Sequence, residues 1–316
     1  MKILFAAPEN AFGGFLPMIR SELPEYDFEV TGRFGVDTLK GFDVLIPTMT
    51  STTRKMFEES DRLRLVQQCG AGIEMVDMEA ASDMSIWVAN VPTAVSGSAD
   101  SVAEVGIYLI LGLARDFRGI QRSLANQKMG EPQGRALSGR TVGIVGLGSI
   151  GRSLVKRLRP FDVNLIGIVL NQPEKVREDL GLEWVGGPED FPEMLHRSDF
   201  VLLCLPLTAE TMNIMNNNTF SAMKQDSFLI NLARGGLVDR DALENALASE
   251  KIAGAGLDVF WEEPPDPEDP IFSYNVLTTS HIAGSTDYAV RGIVTNVAEN
   301  IRRLEKNQEP LHLIKY

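Results

Sequence analysis

Short apolar runs alternate with amphipathic stretches through the second half of the chain, a pattern that predicts parallel strands separated by helices. From Thr141 onward, residues 163–169, 200–205, 228–232 and 253–259 each read as a strand apolar on both faces, as strands buried between two helical layers do. Helix starts fall between them: Pro173 before Glu174, Pro188 before Glu189, and Asp239 ahead of Ala242, Leu243, Ala246 and Leu247. A doubly wound α/β sheet follows. The first hundred residues keep a separate rhythm, with strands expected at 3–6, 44–47, 65–69 and 86–89, and suggest a second, smaller α/β unit. Residues 101–117 are apolar on nearly every face (Val102, Val105, Ile107, Leu109, Ile110, Leu111, Leu113) and predict a helix buried all round. Such a helix would cross between the domains and offer a surface to another subunit. A last amphipathic helix over 287–305 has no place in the central sheet and is expected to return to the first domain.

The stretch TVGIVGLGSIG (141–151) adds chemistry to this pattern. Val142, Ile144 and Val145 suit a strand, and Leu154, Val155 and Leu158 repeat at helical spacing until Pro160. Between them, Gly146 allows a tight turn, Gly148 lets backbone approach a pyrophosphate, and Gly151 lets the helix pack on the strand. Amides at the helix N-terminus then face the phosphates. The spacing alone is common in glycine-rich loops; its strand, turn and helix context makes it a dinucleotide cradle.

Composition narrows the partners. At 316 residues and 44% hydrophobic, the chain is long enough for two cored domains. Thirty basic against forty-three acidic residues give a net charge of −13, which argues against nucleic acid and anionic membrane surfaces. Cys69 and Cys204 lack CxxC spacing, so buried reduced thiols are expected, with no disulfide and no metal site. Pro8 and Glu9 interrupt the apolar start too early for a signal peptide, and no apolar run reaches spanning length, so a cytoplasmic location is expected.

Three ionisable residues each follow a predicted strand: Arg234 after 228–232, Glu263 after 257–260 and His281 after 276–279. In open α/β sheets the C-terminal strand edge is where ligands bind, so the three would converge there. Moving a hydride between nicotinamide and a carbonyl carbon requires a proton at the oxygen. Histidine suits that task, a carboxylate would orient it, and a guanidinium fork would clamp a substrate carboxylate.

The strings NLARGGLVD (231–239), GLDVFWEEP (256–264) and SHIAGST (280–286), with GLGSIG upstream, resemble the D-isomer-specific 2-hydroxyacid dehydrogenases over essentially the whole chain. The resemblance implies a Rossmann dinucleotide-binding domain at 99–285, inserted into a smaller flavodoxin-like α/β substrate domain made of 1–98 and 286–316. It also implies hinge closure and a homodimer. Arg234, Glu263 and His281 match the family's substrate-binding arginine and acid–base pair, and Asp258 matches the carboxylate that holds the nicotinamide amide. In QQCGAGIEMVD (67–77), the amides of Ala71, Gly72 and Ile73 match the loop that receives the substrate carboxylate. Cofactor contacts are expected from Gly146, Gly148, Ser149, Ile150, Gly151, Asn171, Leu205, Pro206, Thr211, Leu232, Ala233, Asp258 and Gly284. The implied activity is hydride transfer between NAD(P)H and a small 2-keto or 2-hydroxy acid.

Two departures refine these expectations. NAD-preferring members carry an acidic residue about twenty positions past the glycines, where this chain reads Val169, Leu170 and Asn171. NADP becomes admissible and is slightly favoured over NAD, with Asn171, Arg152 or Lys175 as candidate contacts. Phosphoglycerate-type relatives place an Arg-Ser pair where this chain has Met49 and Thr50, which points to an unphosphorylated acid such as glyoxylate or hydroxypyruvate; Arg54 and Lys55 stand nearby. The alternative outside this class is a noncatalytic, corepressor-like dinucleotide sensor, against which the intact Arg234, Glu263 and His281 set speaks. Formate-specific relatives place Gln at Glu263, which disfavours formate.

Overall fold

Pairing between all the named strands is parallel, so the chain must return across a sheet face after each one. The structure, a computed structural model, describes residues 1–315. It divides into two units, one of Met1–Ser98 with the segment from Ser285 onward, the other Ala99–Gly284. Ser285 therefore falls in the first unit.

The first unit holds β1 (Lys2–Phe5), β2 (Asp27–Val30), β3 (Val44–Ile46), β4 (Leu65–Gln67) and β5 (Trp87–Ala89) in the order β2-β1-β3-β4-β5, the flavodoxin-like arrangement. The pattern of apolar runs does not reveal β2, because this edge strand alternates exposed and buried residues. The C-terminal helix Asp287–Glu305 packs here as expected. Val290, Val294, Val297, Ile301 and Leu304 recur at helical spacing and join one core with Ile3, Phe5, Phe15 and Leu16. Thr286 caps it by accepting from the Ala289 amide. Asn300 is fully buried on this helix; its Nδ2 donates to Gln67 Oε1 at 2.7 Å and its Oδ1 accepts from the Leu311 amide at 2.7 Å.

The second unit holds β6 (Thr141–Val145), β7 (Asn164–Ile168), β8 (Trp184–Gly186), β9 (Phe200–Leu203), β10 (Ser227–Asn231), β11 (Ile252–Leu257) and β12 (Val276–Thr278), ordered β12-β11-β10-β9-β6-β7-β8. This is the Rossmann order with one further strand. Its central strands are buried on both faces, as their unbroken apolar runs require. The direction of winding reverses between β6 and β9.

The helix expected to be buried all round is corrected in two respects. It runs Ser98–Ala114 and stops short of Phe117, because Asp116 adopts φ 47° and its side chain caps a new helix, Phe117–Ala125. Val102, Ala103, Leu109, Ile110 and Leu113 enter the core, whereas Tyr108 is 44% exposed. One stripe of an apolar helix is thus left uncovered by its own unit.

Replacing Asn300 with Leu strands the Gln67 carbonyl and the Leu311 amide, and should lower stability by about 2–4 kcal/mol. Urea unfolding followed by circular dichroism would register this as an earlier midpoint for the transition of the first unit.

Candidate active site

The glycine cradle is built by close backbone approach. Gly146, directly after β6, adopts φ +94°, and a β-carbon there would stand 2.8 Å from the Cys204 carbonyl oxygen. At Gly151 a β-carbon would meet the Gly146 carbonyl oxygen at 2.2 Å, so the helix Ser149–Leu158 can begin at this turn only without one. Gly148 is different: it is exposed, and a β-carbon there would meet nothing within 4 Å. The space in front of it, at the open N-terminus of that helix, is where a pyrophosphate fits. Ser149 and Ile150 form the first turn and are half-buried.

The residues after the neighbouring strands lie on the same C-terminal edge. Leu205 and Pro206 follow β9, and the Pro206 carbonyl accepts from the Thr211 hydroxyl at 2.8 Å, which knots that loop. Leu232 and Ala233 follow β10 and are buried; Gly284 lies beyond β12 and is half-buried. Asn171 lies past the tip of β7 and is exposed, as is Leu170 at 79%. Lys175 pairs with Asp179 at 2.6 Å, whereas Arg152 makes no ion pair among the described residues.

Arg234, Glu263 and His281 follow the three adjacent strands β10, β11 and β12. His281 Nδ1 stands 2.6 Å from Glu263 Oε2, and Glu263 Oε1 accepts from the Phe260 amide at 3.0 Å, so the carboxylate is fixed at both oxygens. Burial pushes the Glu263 carboxyl up. The hydrogen bond and charge of His281, the Phe260 amide and the charge of Arg234 outweigh burial and hold it below its ordinary value of 4.5. Arg234 thus acts electrostatically on the pair. Its own turn is set by Asn231, buried, which donates to the Arg234 carbonyl and accepts from the Ala233 amide.

Asp258 supports the loop that carries His281. Its buried carboxylate accepts from the Thr279 hydroxyl at 2.6 Å and from the amides of Ile282 and Ala283, while its carbonyl accepts from the His281 amide. His281 adopts φ 54°, a left-handed conformation that needs such support. Neither Thr279 nor Asn231 was singled out in the sequence. The only hint was that Asn231 opens the string NLARGGLVD and Thr279 precedes SHIAGST.

In the first unit, Ala71, Gly72 and Ile73 form the turn after β4. Their three amides donate no hydrogen bond among the described residues, while Asn90 fixes the turn by donating to the Ala71 carbonyl at 2.7 Å. Arg54, near the Met49 and Thr50 positions, is committed to Asp83 at 2.7 Å, and Lys55 pairs with Glu59. Both cysteines are unbridged, and burial pushes each thiol up to about 12, far from a reactive thiolate. Among the described residues no three His, Cys, Asp or Glu side chains group to hold a metal, and no helix is long and apolar enough to cross a membrane.

Comparison with known proteins places this fold in a family. Residues 107–283 match the family described as D-isomer specific 2-hydroxyacid dehydrogenase, NAD binding domain. The chain is 37% identical over 279 residues to a D-3-phosphoglycerate dehydrogenase of Methanocaldococcus jannaschii, covering 86% of this chain but only 52% of that protein. It is 32% identical over 289 residues to a glyoxylate reductase of Thermococcus litoralis, covering 88% of this chain and 85% of that one. Among solved structures, an NAD-dependent formate dehydrogenase of Staphylococcus aureus in complex with NAD superposes with a TM-score of 0.86 at 29% identity, covering 100% of this chain and 99% of that one.

The Glu263 and His281 pair has a definite pH signature. Because the folded Glu263 carboxyl lies below its ordinary value, the pair stabilises the fold fully above 4.5 and loses this contribution as pH falls through the lowered value. The difference in melting temperature between the parent and Glu263→Gln should therefore shrink as the buffer is acidified through that value. A difference that grew toward low pH would contradict the assignment.

Proposed function

Because the chain belongs to the D-isomer specific 2-hydroxyacid dehydrogenase family, we propose that it reduces a small 2-keto acid to the corresponding D-2-hydroxy acid. The observation that carries this reading is the 2.6 Å His281 and Glu263 contact, within the field of Arg234, on the sheet edge that also bears the glycine cradle. A nicotinamide dinucleotide, when bound, supplies the hydride to the carbonyl carbon or takes it back. With Nδ1 donating to Glu263, His281 has Nε2 to give its proton to the carbonyl oxygen. Arg234 clamps the acid's carboxylate and polarises the neighbouring carbonyl. The three unpaired amides at Ala71, Gly72 and Ile73 support a carboxylate-binding role for that turn.

The substrate is unphosphorylated, glyoxylate or hydroxypyruvate being the best fits. Arg54 and Lys55, the cations beside the Met49 and Thr50 positions, are both held in ion pairs. For the cofactor, the lack of a carboxylate at Val169, Leu170 and Asn171, with Arg152 on the helix after the glycine cradle making no ion pair among the described residues, favours NADPH slightly over NADH. The complete acid–base set makes a purely sensing role the weaker alternative. The protein forms a homodimer through the exposed side chains of Tyr108, Phe117, Ile120 and Leu124, the last three recurring on one helical face.

A rate screen of glyoxylate, hydroxypyruvate, pyruvate and phosphohydroxypyruvate against NADH and NADPH tests the reading, which fails if no keto acid is turned over. His281→Ala should lower kcat by about 10²–10⁴-fold with cofactor affinity retained. Arg234→Ala should raise KM sharply, and Asn171→Asp should reduce kcat/KM for NADPH relative to NADH by about tenfold, on the order of 1.4 kcal/mol.

A further inference from the structure

We propose that Trp261 and Arg240 are positioning residues that staple the segment bearing Glu263 to the turn bearing Arg234, so that the acid–base pair and the carboxylate clamp move as one body. The inference rests on the functional reading above and adds two residues to it.

The segment 261–269 carries Pro264, Pro265 and Pro267, and Pro270 follows it. A proline lacks an N–H, so this strap cannot secure itself through a regular backbone ladder. Its internal bonds are few: the Asp269 amide donates to the Asp266 carbonyl, and the Glu268 amide to the Asp266 side chain. Side chains anchor it instead, and they anchor it to one place. At its start, Trp261 Nε1 donates to the Val238 carbonyl at 2.6 Å. At its end, Asp269 receives a fork from Arg240, Nη2 to Oδ1 at 2.5 Å and Nε to Oδ2 at 3.2 Å. Asp269 Oδ1 also accepts from the Ile271 amide, and Glu244 holds the remaining Arg240 nitrogen at 2.8 Å.

Val238 lies on the short run between Arg234 and the helix Arg240–Ala248, and Arg240 is the first residue of that helix. A third contact joins the same two segments: a β-carbon at Gly235 would stand 2.0 Å from the Phe260 carbonyl oxygen, so the backbones of the Arg234 turn and the strap touch directly. Glu263 lies between the two side-chain staples. Its Oε1 is held by the Phe260 amide next to Trp261, so a strap that swings away takes the carboxylate from His281. The fork is half-buried and bidentate, the geometry in which an arginine and carboxylate fix orientation as well as distance.

The test uses the full-length protein with Trp261→Phe, Arg240→Met and the two combined. The chain has three histidines, His196, His281 and His312, so His281→Asn assigns the His281 signals in side-chain nitrogen NMR spectra. With the ring neutral, the parent should show His281 protonated at Nδ1, the tautomer Glu263 selects. The combined variant, and Glu263→Gln, should drift to a mixture with Nε2. The kcat for glyoxylate should fall by about tenfold, less than loss of an acid–base catalyst, while the dissociation constant of NADH or NADPH stays within about twofold. Arg240→Lys, which keeps charge without the fork, should restore only part of the loss.

An unchanged His281 tautomer in the folded combined variant overturns the proposal whatever the rates. If that variant does not fold, Trp261→Phe alone decides, since it keeps a ring and removes only the donor end; an unchanged tautomer and kcat there overturn the Trp261 staple. Should the parent turn over no keto acid while the tautomer responds as stated, the functional reading fails and the strap stands.

Discussion

Parallel pairing of β10 with β11 and of β11 with β12 is the constraint from which the candidate site follows. Parallel strands all end on one edge, so residues some twenty to thirty positions apart in sequence are delivered side by side without any local signal joining them. Arg234, Glu263 and His281 meet for that reason. The same geometry places the glycine turn after β6 next to the loop after β9, where the winding reverses and a crevice opens between diverging connections.

Fine positioning depends on side chains that hold neighbouring backbone. Asn231 shapes the Arg234 turn, and Asp258 uses both carboxylate oxygens to shape the loop on which His281 takes a left-handed conformation. Glycines at 146, 151 and 235 act by what they lack, since each allows backbone to lie where a β-carbon would collide with a carbonyl oxygen. The electrostatics follow from this packing. Glu263 is half-buried, which pushes its carboxyl up, and His281, the Phe260 amide and Arg234 together outweigh that effect.

The alternation of apolar runs with helical stretches read correctly as two parallel-sheet α/β units, and the central strands were recognisable because burial on both faces demands an unbroken apolar run. The strands Asp27–Val30 and Trp184–Gly186 were not, since each is short and partly solvated and its composition resembles a loop. The helix Ser98–Ala114 was legible as apolar but not as partly exposed. Apolar composition says that a side chain leaves water, and does not say whether its own unit or a second molecule covers it.

The sequence by itself determined the family, the glycine cradle and the identity of the three ionisable residues, because each rests on residue types at fixed spacing along the chain. Tertiary structure alone decided the 2.6 Å distance between His281 and Glu263, the support that Asp258 gives the His281 loop and the anchoring of the proline-rich strap by Trp261 and Arg240. These are contacts between segments whose separation in sequence carries no information about distance in space. Only the register of neighbouring parallel strands, and the connections that leave them, converts one into the other.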